Sequence, residues 1–160
     1  MLKRPFILTF AAMALLAGCA SVRGPVTVAD TLASQPQLST LSSLVSKAGL
    51  GDTLKGAGPF TVFAPSNEAF AKVPAKTMEA LANDPAQLKE VLTYHVISGK
   101  VMQADVKNGN SKTVNGANLA LSRAGSFVTV EDALVQTPDI SATNGVVHIV
   151  DSVLLPPAKR

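Results

Sequence analysis

The sequence predicts an α+β fold, with helices first and a block of short antiparallel strands after them. Three observations carry this expectation. Leu38, Leu41, Leu44, Val45 and Ala48 fall at helical spacing. From Tyr94 onward the period changes to short runs rich in strand formers: Tyr94–Ser98, Ser111–Val114, Ala117–Leu121, Phe127–Val130 and Val146–Val150. Turn residues such as Asn115-Gly116, Gly125-Ser126 and Asn144-Gly145 separate those runs.

The chain opens on Lys3 and Arg4, followed by 12 mostly apolar residues from Pro5 to Leu16. A bilayer span needs about 20 such residues, so this stretch fits a secretory signal rather than a transmembrane helix. Small residues then lead to Leu16-Ala17-Gly18-Cys19, which holds the sole cysteine of the chain. The run resembles the lipobox of bacterial lipoproteins. That resemblance implies a lipoprotein-type signal over 1–18, a lipidated tether over 19–25, and a domain over 26–157. Ala20, not Asp, follows the cysteine, which by resemblance to proteobacterial sorting implies an outer-membrane lipoprotein, periplasmic or surface-exposed.

Composition narrows the function. Lys3 and Arg4 contribute most of the formal charge of +3. Without them the mature chain is nearly neutral, and no basic cluster or aromatic platform marks a nucleic-acid binder. With Cys19 given to lipid, the domain has no intramolecular disulfide and must be held by packing of Val, Leu, Ile, Ala and Phe. No later apolar run approaches a membrane span, so membrane contact is expected through acyl chains on Cys19 alone. No internal repeat is visible, and the expectation is one monomeric module.

The elements follow in order. Gly49 is placed to stop the first helix. Gly58-Pro59 leads into a strand at Phe60-Thr61-Val62-Phe63. Ser66 offers an N-cap for a helix over Asn67–Lys72, and Asp84 caps another that starts on Pro85, where a missing N–H is harmless. In that helix Leu88, Val91 and Leu92 share a face while Lys89 and Glu90 point outward. Asn115-Gly116 predicts a two-residue type I′ hairpin loop.

Three segments now stand in order: Gly58-Pro-Phe-Thr-Val-Phe-Ala-Pro-Ser-Asn-Glu-Ala-Phe70, Leu92-Thr-Tyr-His-Val96, and Asn144-Gly-Val-Val-His-Ile-Val-Asp-Ser-Val-Leu-Leu-Pro156. Together they resemble the signature blocks and the Tyr-His motif of fasciclin-like (FAS1) domains. The resemblance implies an antiparallel β-wedge or sandwich with helices packed along one edge. It also implies a non-catalytic role without cofactors in extracellular adhesion or binding, the partner being an envelope or extracellular protein or a glycan. A periplasmic structural or assembly factor shares every one of these features.

Four groups of residues are candidates for a site. Tyr94 and His95 form the motif that related adhesive domains associate with cell binding. In a strand they point to opposite faces, and the alternative is that both are buried and paired to backbone groups. Asp139 and Ile140 stand where some animal relatives carry an Asp-Ile integrin-recognition motif; the alternative places Ile140 in the core and Asp139 on turn amides. His148, on an apolar strand, is expected to be a satisfied core residue, because zinc would want three or four ligands and the domain offers only His95, His148 and scattered acids. Ser66, His95 and Asp151 could be arranged as a hydrolytic nucleophile, base and orienter, although no Gly-x-Ser-x-Gly elbow surrounds Ser66 and capping is a sufficient role for it.

Overall fold

The computed structural model describes residues 26–156. The expected signal, the tether with Cys19, and Pro157 lie outside the described residues. The first half is helical, interrupted by one strand. Helix α1 (Val28–Ser34) begins at a capping box, in which Thr27 and Asp30 each bond the other's backbone N–H. Helix α2 (Ser39–Lys47) buries Leu41 and Val45, and is stopped at Gly49, whose φ of +68° suits a residue without a side chain. A short α3 (Gly51–Lys55) leads to strand β1 (Phe60–Pro65). Helix α4 (Asn67–Ala71) is capped by Ser66, whose hydroxyl accepts from Ala69 N at 3.3 Å.

Helix α5 (Ala75–Asn83) precedes α6 (Pro85–Tyr94), which opens on Asp84 and Pro85 as expected. The Asp84 carboxylate accepts from Ala86 N and Gln87 N at 2.9 and 3.2 Å. Strands β2 (Val96–Ser98), β3 (Gly109–Lys112), β4 (Asn118–Ala124), β5 (Phe127–Val130), β6 (Ala133–Ala142) and β7 (Gly145–Val150) complete the chain.

The seven strands lie in the order β2-β1-β7-β6-β5-β4-β3. Every neighbouring pair is antiparallel except β1 and β7, which run parallel from Phe60↔Gly145 to Pro65↔Val150. The two ends of the sheet meet through Ile97↔Thr113 and a 2.8 Å bond from Val114 N to Val96 O. The result is a nearly closed wedge with two cores. Val62, Ala64, Val147 and Ile149 face the helices, whereas Phe63, Val150, Leu119 and Val130 fill the inside of the wedge. Strand β7 is therefore buried at all six positions. Apart from His148 it reads as an apolar run, without the alternation a half-exposed strand shows.

The structure corrects three local expectations. Tyr94 and His95 do not lie in a strand: α6 runs through Tyr94 and His95 is its C-cap. The buried face of Leu88, Val91 and Leu92 carries the helix past two strand-favouring residues, and the His95 ring then binds the terminal carbonyl of Val91 at 2.7 Å. The β3–β4 loop is longer than two residues. Gly116 N bonds Thr113 O and Thr113 N bonds Ala117 O, leaving three residues with Gly116 at φ +92°. This turn docks on β2 and α6, through Val114 N and through Asn115 N to Thr93 O. Finally, Pro138-Asp139 falls within β6, at a bulge between Thr137 and Ile140. Pro138 has no N–H to give a ladder, so the irregularity sits where pairing is already broken.

Candidate functional site

Tyr94 and His95 are each only 2 % exposed. The Tyr94 ring enters the inner core, and its hydroxyl lies 3.2 Å from Asn118 O and 3.3 Å from Glu131 Oε1. Burial, then the charge of Glu131, pushes its pKa up to about 12. His95 Nε2 accepts from Leu154 N at 3.0 Å, so the imidazole proton sits on Nδ1 and faces Val91 O. Burial drives its pKa down to about 4 against the opposing pull of the Val91 carbonyl. The neutral ring thus joins the end of α6 to the segment that follows β7.

Asp139 is similarly engaged. It takes φ +58°, a left-handed conformation that Asp tolerates better than most residues. Its backbone N–H donates to His148 Nδ1 at 3.1 Å, and its carboxylate accepts from Gln103 N at 2.7 Å. His148 stacks on Phe63 with ring centroids 5.5 Å apart and donates from Nε2 to Val101 O at 2.8 Å. Burial lowers its pKa, opposed by the Val101 carbonyl and the Asp139 charge. Asp139 and His148 together pin the 99–105 loop across the open side of the wedge. Ile140 is half-buried and packs against the helical core.

Two asparagines in the signature blocks hold the fold from the other side. Asn144 accepts from Val28 N at 2.8 Å and donates to Leu54 O and Gly56 O at 2.7 and 2.9 Å. Asn67 accepts from Thr40 N and donates to Pro36 O. In the sequence Asn144 is a turn residue and the first residue of the third block; its ties appear only where the fold brings Val28, Leu54 and Gly56 to it.

Ser66, His95 and Asp151 do not form a relay. The Ser66 hydroxyl caps α4, the His95 nitrogens face Val91 and Leu154, and Asp151 accepts from Leu134 N at 2.8 Å. Among the described residues no group of three His, Cys, Asp or Glu side chains converges as a metal site requires. No helix among them is long and apolar enough to cross a membrane.

A wedge-shaped mixed sheet flanked by helices, with its signature residues used as internal ties, defines the class of molecule. The fasciclin domain family model matches residues 36–156, and the chain belongs to that family. Protein sll1483 of Synechocystis is 39 % identical over 140 residues, covering 86 % of this chain and 78 % of that protein. Cell surface glycolipoprotein MPB83 of Mycobacterium bovis is 39 % identical over 137 residues, covering 82 % of this chain and 61 % of that one. Among solved structures, a FAS1 domain pair from the insect cell adhesion molecule fasciclin I aligns with a TM-score of 0.68 at 19 % identity. That alignment covers 82 % of this chain and 51 % of the pair, and it shows the shared fold.

Proposed function

We propose that this protein is an envelope-anchored, non-catalytic adhesion or binding module that contacts a protein or glycan outside the cytoplasm. The observation that carries the reading is the family match over residues 36–156 together with a cell-surface glycolipoprotein among the relatives. The bonding of Ser66 to Ala69 N, of His95 to Val91 O and Leu154 N, and of Asp151 to Leu134 N and Lys72 keeps the three apart from any hydrolytic relay, which supports this reading.

In this reading acyl chains on Cys19 hold the domain at the outer membrane, where two or more chains give slow release. Many copies on one surface then raise modest individual affinities to a firm grip. The Cys19→Ser variant should move from the membrane fraction to the soluble fraction; retention in the membrane fraction sinks the anchor. Crosslinking on intact cells should couple the domain to a second macromolecule. Recovery of only uncoupled domain, while neighbouring envelope proteins are captured, overturns the binding role. Protease added outside intact cells should remove an exposed adhesin; a protected domain would favour a periplasmic assembly factor.

A further inference from the structure

Residues 99–105 form a strap across the open side of the wedge, and its ends are tied by groups that do not titrate. Gly99 N bonds Pro59 O at 2.9 Å. The buried Thr61 hydroxyl accepts from Val101 N at 2.8 Å and donates to Gly99 O at 2.7 Å. Farther along, the Gln103 side-chain amide donates to Ser126 O. The centre of the strap is held differently. Val101 O accepts from His148 Nε2 at 2.8 Å, and Gln103 N donates to the Asp139 carboxylate at 2.7 Å. Beneath Gln103 lie Phe63, Val106, Val128 and Val135, so the strap covers apolar side chains of the inner core.

The two central ties share one proton-sensitive contact. Asp139 stands at the β6 bulge with φ +58°, and its N–H donates to His148 Nδ1 at 3.1 Å. That bond needs a bare Nδ1, the acceptor nitrogen of the neutral ring. The Asp139 carboxylate lies 4.0 Å from the same nitrogen but is engaged by Gln103 N. We propose that residues 99–105 are an acid-released strap. A proton on His148 Nδ1 turns away the Asp139 N–H, draws the Asp139 carboxylate off Gln103 N onto the imidazolium, and frees the strap to lift. The closed form keeps the ring buried and neutral; the lifted form admits water and completes the ion pair, so protons favour it. Burial holds the pKa of the covered ring below its ordinary value, whereas an uncovered ring titrates near about 6.5. The strap therefore stays shut above about pH 6.5 and loosens as the pH falls below that value. Asp139 is the charge that acts on the ring among the described residues. Phe63, Val101, Gln103, Val106, Val128 and Val135 around it carry none, and Lys100 and Asp105 of the strap are exposed to water.

Hydrogen exchange of the full chain in detergent micelles, read by mass spectrometry and corrected for the intrinsic rate at each pH, tests this. Protection over 99–105 should fall about tenfold or more between about pH 7.5 and 5.5, as expected for a lifted ring that titrates near or above 6.5. The strap should exchange faster than β7 throughout, because it opens without global unfolding. In Asp139→Asn the amide oxygen still accepts from Gln103 N but offers no charge to the ring. That variant should stay protected at neutral pH and show a smaller fall with acid. His148→Gln should abolish the fall. A wild-type fall below about threefold overturns the strap. So do equal exchange rates over 99–105 and β7 at each pH, an Asp139→Asn variant with the full wild-type fall, or a folded His148→Gln variant that keeps it. If His148→Gln fails to fold, the Asp139→Asn comparison decides alone.

Discussion

Acid should loosen this domain through His95 well before its carboxylates titrate. In the folded chain His95 has a pKa near about 4, against about 6.5 when unfolded, because burial disfavours the imidazolium. The unfolded chain therefore binds a proton that the folded chain refuses. The stabilisation is complete above pH 6.5 and is lost as pH falls toward 4. Linkage gives a loss of about 2 kcal/mol between pH 7 and pH 5, and about 3 kcal/mol by pH 4. His148, also shifted down by burial, adds in the same direction. Urea unfolding followed by circular dichroism at pH 7, 6 and 5 measures this directly, and ordinary carboxylates contribute little in that window. Stability should decline steadily with acid. His95→Gln should be weaker at every pH but show a shallower decline, because one of the two titrating rings is gone. A wild-type stability that stays flat from pH 7 to 5, or a variant with the original slope, refutes the assignment of a buried neutral ring.

Two further substitutions test the internal ties. Asn144→Ala strands Val28 N and two carbonyls of the α3 region and should lower stability by about 2–4 kcal/mol, read as a lower urea midpoint; a loss under 1 kcal/mol would show that water replaces the amide. Tyr94→Phe removes a hydroxyl at the wedge rim while keeping the ring, and should cost about 1 kcal/mol, read as a lower urea midpoint. An unchanged midpoint would mean that the hydroxyl contributes nothing to the tie.

What was legible in the sequence was local chemistry. Ser66, Asp84 and Gly49 announced helix ends because capping acts within three residues. Helices α1 and α3, at seven and five residues, are too short to show a period. Helix α5 was missed because it fully buries only Leu81. The parallel pairing of β1 with β7 joins residues more than 80 positions apart, and nothing in either run states which strand lies beside it. Burial of Tyr94 and His95 with backbone partners was one of the two readings open from sequence, but Leu154, which completes the His95 environment, is brought near only by the fold.

These ties bear on where recognition can reside. The residues that made the family visible, Asn67, Tyr94, His95, Asn144 and His148, spend their polar atoms on other parts of the chain: α2, β4, the segment after β7, α1 and α3, and the 99–105 loop. A side chain so used cannot be offered to a partner without opening the fold, and for His95 that opening exposes a ring that then takes up a proton. Motifs used in this way preserve architecture. The binding role proposed above therefore falls to exposed side chains outside these ties. Replacing such a side chain leaves the architecture standing, whereas replacing Asn144 or His95 does not.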